Sequence, residues 1–206
     1  YGTTGSYVSM SNLVNSSGVV AADVTGVGTA RGVLGASSYG GDKAIFGYGH
    51  TGSNVSMTNL VSNSGVVASD VTGVGTARYS LAAASYGTDK AIFGYGYVSG
   101  AVSMTNLVNN SGVVSADVTG VGTARYALAA ASYGGDKAIF GYGTSGTVVS
   151  LTNLVSNSGV VATDTTGVGT ARSDLAAASY GTDKAIFGYG YTGSANVSIS
   201  NLVNNS

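Results

Sequence analysis

The arginine of the phrase GVGTAR falls at 31, 78, 125 and 172, and this spacing of 47 residues governs the whole chain. Asp42, Asp89, Asp136 and Asp183 of the phrase DKAIFGYG keep the same interval. A third phrase, VSxxNLV, begins at Val8, Val55, Val102 and Val149, then at Val197 after a single inserted residue. Tyr1 and Gly2 stand in register with Tyr48 and Gly49. A fixed period of this length means one supersecondary unit copied along the chain, each copy burying its apolar face against the next. The copies divide the single repeat domain, residues 1–206, into a leading part (1–28), three full units (29–75, 76–122 and 123–169) and a trailing part (170–206).

Within a unit the pattern is that of β-structure. No i, i+3, i+4 apolar period is sustained, and the 34 glycines recur too often for a helix of more than about two turns. Four short runs separate at Gly, Ser, Asn and Thr clusters: YSLAAASYG, DKAIFGYGY, VSMTNLVSN and GVVASDVTGVG, here strands A to D. Strand B, read from Lys90, sets Ala91, Phe93 and Tyr95 on one face and Ile92 on the other, so the sheet is expected to be covered on both sides. Strand A is small throughout, which suits a crowded place where backbones approach closely. SYGTDK and NSGVV read as hairpin turns joining A to B and C to D.

A four-stranded antiparallel sheet of about 40–50 residues, repeated and covered on both faces, predicts an all-β fold of β-propeller blades. Strand A would line a central channel, and the aromatics of strand B would fill the wider space between blades. A β-solenoid and an open stack of sheets in a fibre are the alternatives. The strand order is C and D, then three ABCD sets, then A, B and C. The last A–B pair can therefore join the first C–D pair in a four-bladed ring, with one strand C to spare. Five blades would leave two incomplete sheets with open edges, and a ring completed by another copy is the third arrangement. The incomplete terminal blades thus offer a route to self-association.

ARYSLAAASYGTDKAIFGYG resembles the front half of a kelch repeat: an arginine, a small-residue strand, a glycine turn, a Lys-apolar-apolar strand and a terminal diglycine. The likeness covers about half of each unit. It departs in the diglycine, here GYG, and in the absence of any tryptophan. The resemblance implies the propeller fold, and no family-specific contacts carry over. The phrase together with VSMTNLVSNSGVV also resembles repeat tracts of tail fibre-type virion proteins of tailed phages, which implies a virion or other extracellular setting.

Chemistry-bearing residues are few. Charged residues make up 8% of the chain against roughly 25% in an average soluble domain. A net charge of −1 gives no electrostatic case for nucleic acid or an anionic membrane surface, and no apolar run approaches a spanning helix. Without cysteine there are neither disulfides nor thiolate metal sites. Every charge except Asp174 sits at a repeated position: Arg31, Arg78, Arg125 and Arg172; Lys43, Lys90, Lys137 and Lys184; Asp42, Asp89, Asp136 and Asp183; Asp23, Asp70, Asp117 and Asp164. Catalysis generally needs one asymmetric constellation, so the repeated charges are expected to pair or cap turns within and between blades. His50 is the sole histidine, in a position held by Tyr97, Thr144 and Tyr191 elsewhere, and it forms no triad or zinc set. GYGHTG, GYGTSG and GYGYTG satisfy G-x-G-x-x-G, but no helix follows to receive a phosphate. No cofactor or metal is expected.

Recognition is expected where the copies disagree. Tyr79, Tyr97, Tyr126, Tyr191 and His50 lie at variable positions beside loops and are the candidate ligand-binding residues. The reading is a non-enzymatic binding or display module that contacts a carbohydrate or cell-surface polymer. The alternative is a structural or engineered repeat scaffold without a ligand.

Overall fold

The computed structural model describes residues 1–205. All of its regular elements are strands. A short hairpin, β1 (Gly2–Thr3) and β2 (Tyr7–Val8), opens the chain. Four three-stranded antiparallel sheets follow. The first holds β3 (Gly35–Tyr39), β4 (Lys43–Gly47) and β5 (Thr58–Val61). The second holds β6 (Ala82–Tyr86), β7 (Lys90–Gly94) and β8 (Thr105–Val108). The third is β9 (Ala129–Tyr133), β10 (Lys137–Gly141) and β11 (Thr152–Val155). The fourth is β12 (Ala176–Tyr180), β13 (Lys184–Gly188) and β14 (Ser200–Val203). Register is copied from sheet to sheet, with Ile92 opposite both Ala84 and Leu107 as Ile139 is opposite Ala131 and Leu154.

Strands A, B and C thus form where the sequence places them, while strand D is reduced. Its residues run beside strand C through two isolated bridges per unit, Thr58 with Val71 and Val61 with Val67 in the first. Strand B is also shorter than its alternation suggests. It ends at Gly94, and Tyr95 follows in the left-handed region at φ 63°. Its counterparts Tyr48, Tyr142 and Tyr189 do the same, at 64°, 63° and 62°. A non-glycine residue there costs about 1–2 kcal/mol. The return is direction: the turn swings the tyrosine off its own strand onto the next sheet.

The sheets stack in series. Inner strands β3, β6, β9 and β12 pack each against the next, and their Ser and Ala side chains together border one cavity of about 170 Å³. Only small side chains permit this approach; the Ser85 and Ser132 hydroxyls lie 3.3 Å apart. Further out, Phe93 of the second sheet meets Tyr48 edge to face at 5.2 Å and presses on Gly47, where an added Cβ would meet its Cζ at 2.6 Å. Phe140 on Gly94 and Phe187 on Gly141 repeat the contact. Phe93, Phe140 and Phe187 are no more than 1% exposed, and burial of each contributes about 1.5–3 kcal/mol.

At the ends the pairing is local. Strand β13 is flanked by β12 and by its own strand C, β14, so the last hairpin does not take up the first two segments. Residues 11–24 pair only with themselves, Ser11 with Val24 and Val14 with Val20. A strand C a few residues away closes a far shorter loop than one at the other end of the chain.

Candidate functional site

Two constellations stand at the end of the sheets where strand A begins and strand B finishes. The first is repeated. Arg78 is fully buried, with its guanidinium carbon over the Tyr48 ring of the preceding unit, 4.3 Å from the centroid. Its Nε donates to the Tyr95 carbonyl (2.8 Å), Nη1 to the Thr76 carbonyl (3.1 Å) and Nη2 to Asn106 Oδ1 (2.8 Å). Asp117 lies 3.9 Å away and accepts from Asn106 Nδ2, Thr76 N and Thr76 Oγ1. Arg31 sits in an equivalent network with Asn59 and Asp70, and Arg125 shares the amide and carboxylate contacts with Asn153 and Asp164, while its Nε finds no acceptor among the described residues. Burial pulls Arg78 below the usual arginine value, opposed by Tyr48 and Asp117. Burial alone would raise Asp117, but hydrogen bonds from Thr76 and Asn106 and the arginine charge together hold it low. Burial also pushes Tyr48 and Tyr95 up to about 12. These groups are locked by one another, which makes them joints between units. The asparagines and threonines of this network were not singled out by the sequence. The available signal was a polar residue in every copy of the apolar run TNLV or SNLV.

Asp42, Asp89 and Asp183 pair instead with the adjacent exposed lysine. Their turns also link neighbouring sheets, the Asp89 carbonyl accepting from Gly40 N at 2.7 Å and the Asp136 and Asp183 carbonyls from Gly87 and Gly134.

The second constellation occurs once. Of the five variable-position candidates, His50, Tyr79, Tyr97 and Tyr126 form a continuous file of rings, with centroids 5.3, 5.5 and 5.0 Å apart in that order. Tyr7 extends the file at the His50 end, its hydroxyl 2.7 Å from His50 Nδ1. Steps alternate between partners bridged within a unit, such as Tyr79 and Tyr97, and rings meeting across units. After Tyr126 the next two positions are Thr144 and Ser173, which carry no ring. Tyr191, the fifth candidate, stands beyond them, bridged to Ser173. The two missing rings leave a groove of about 610 Å³ between Tyr126 and Tyr191.

The groove's floor is backbone held by a relay of hydrogen bonds. Ser80, Ala127 and Asp174 occupy equivalent left-handed positions at φ 52°, 51° and 53°. Ala127 N donates to Ser80 O and Asp174 N to Ala127 O, both at 2.9 Å. Asp174, the one charge outside the repeat, is exposed there and accepts from Ser173 Oγ at 2.8 Å. The Tyr191 hydroxyl donates to Gly193 O at 2.9 Å, fixing that wall. The arrangement offers two aromatic walls, a carboxylate acceptor and hydroxyls, within the size range of small-molecule sites. Among the described residues no three His, Cys, Asp or Glu side chains gather as a metal set. Compared with protein-family models and with curated proteins, the chain matches none.

Proposed function

We propose that the chain is a non-enzymatic β-propeller-type module that binds a neutral carbohydrate in the groove between Tyr126 and Tyr191. The observation that carries this is the single interruption of the aromatic file, floored by the chain's one non-repeated charge. A pyranose has apolar C–H faces that suit tyrosine rings, and hydroxyls that donate to a carboxylate. The titratable side chains that line the groove are Tyr126, Asp174 and Tyr191. Glycoside cleavage in its usual form needs two carboxyl groups flanking the bond, so one carboxylate favours holding a sugar over cutting it. The propeller reading is supported by four inner strands bordering one cavity and by small residues on each of them. The resemblance to tail fibre-type tracts supports display at a virion surface, against a cell-surface polymer.

At about 0.3 kcal/mol per non-hydrogen atom, a monosaccharide binds with a dissociation constant of about a millimolar. The test is a glycan-array screen followed by isothermal titration. The expected result is one site per chain, because the groove occurs once although the repeat occurs four times, with binding lost in Tyr126→Ala and Asp174→Asn. Silence across a broad array refutes the reading. It would favour the second one, a ligand-free spacer, which is supported by the buried arginine joints.

A further inference from the structure

The rings of the aromatic file are not needed to join one unit to the next. Where the third and fourth units meet, Thr144 and Ser173 stand in their places, yet Asp174 N donates to Ala127 O just as Ala127 N does to Ser80 O. Arg172 lies over Tyr142, 4.1 Å from the ring centroid, as Arg78 lies over Tyr48. At Gly32, which brings no side chain, the file is carried on by another route. A Cβ built there would meet Tyr7 Cε1 at 3.2 Å, because the Tyr7 ring fills the place.

Hydroxyl groups divide the tyrosines in the same way. Those of the joints, Tyr48, Tyr95 and Tyr142, donate to the carbonyls of Val74, Val121 and Val168. Tyr79, Tyr97 and Tyr126 make no such bond among the described residues, and none of their hydroxyls is sealed from solvent. Their rings are partly exposed and meet at 53° and 75°, so neighbours do not cover one another face to face. The steps of 5.5 and 5.0 Å are close to the length of one pyranose in a chain. The groove's floor also runs on in this direction. Ser80, which lines the groove, donates its N–H to Val33 O at 3.0 Å, and Val33 repeats the left-handed turn at φ 55°.

Charge narrows the ligand further. The four arginines are fully buried, and every lysine opens a strand B at the opposite end of the sheets. A polyanion would therefore meet no accessible Lys or Arg beside the file, and would face Asp174 in the groove. We infer that the ligand is a linear neutral polysaccharide, with one unit in the groove and the following units laid along Tyr126, Tyr97 and Tyr79. This rests on the carbohydrate reading of the groove and extends it from one sugar to a chain. Ring faces take the apolar C–H faces of successive sugars, and the free phenol hydroxyls exchange hydrogen bonds with theirs.

Isothermal titration with neutral oligosaccharides of glucose, galactose, mannose and N-acetylglucosamine, one to six units long, tests this. In the series that binds, each added unit is expected to tighten binding about twofold to tenfold through the third. Tyr79→Ser and Tyr97→Thr copy what the chain already holds at the equivalent positions, Ser173 and Thr144, so the fold accommodates them. In the double variant affinity should no longer depend on length. A wild type that binds single sugars and long chains equally overturns the inference and leaves the groove as a single-sugar site. A gain with length that survives in the double variant overturns it as well. Silence at every length refutes the carbohydrate reading itself, and this inference with it.

Discussion

Replacing Arg78 with methionine removes the joint between the first and second units while leaving volume behind. Three acceptors lose their donor: the Tyr95 carbonyl, the Thr76 carbonyl and Asn106 Oδ1. Each buried acceptor left alone costs about 1–3 kcal/mol. The stack on Tyr48 at 4.3 Å is lost as well, worth about 1–2 kcal/mol in a desolvated site. Against this stands the cost of burying a guanidinium, several kcal/mol, which the variant is spared. The net expectation is a loss of about 3–5 kcal/mol, the range for breaking a buried charged pair. For a chain of this size that is about 10 °C in Tm. Arg172→Met is the internal control. Arg172 keeps two carbonyl bonds and the Tyr142 contact but has neither amide nor carboxylate partner among the described residues, so it should cost about 1–2 kcal/mol. Arg78→Lys retains charge but not the planar fork, and should recover less than half the loss. Urea unfolding followed by tyrosine fluorescence measures all three. Equal losses in Arg78→Met and Arg172→Met, or full rescue by lysine, would refute the view that the fork holds the units together.

Alkali and acid should act on the same joints. Tyr48 and Tyr95 hold their protons to about pH 12 in the folded chain against about 10 when unfolded. Their contribution is therefore complete below pH 10 and lost as pH rises toward 12; absorbance at 295 nm should follow their ionisation. Asp70, Asp117 and Asp164 are held low, so their contribution is complete above the unfolded value of about 3.9 and fades as pH falls through the folded values. Asp117→Asn should flatten the acid limb of a stability–pH curve. Gly94→Ala places a Cβ 2.6 Å from Phe140 Cζ and should lower stability by about 1–3 kcal/mol by urea unfolding.

The period and the strand order were legible because each unit repeats one burial problem, and the solution is printed four times. Small strand-A residues and the both-face burial of Ile92 and Phe93 followed directly from alternation. Tyr95 did not. Alternation extends strand B through it, but a left-handed turn intervenes, and sequence gives no warning when a bulky residue takes a backbone shape that glycine prefers. The aromatic file was legible only as a set of variable positions. Its continuity depends on rings meeting across units, such as Tyr97 and Tyr126 at 5.0 Å, and such contacts have no sequence spacing of their own. Asp174 stood out as the one unrepeated charge, but its place on the groove floor required the backbone relay from Ser80 and Ala127.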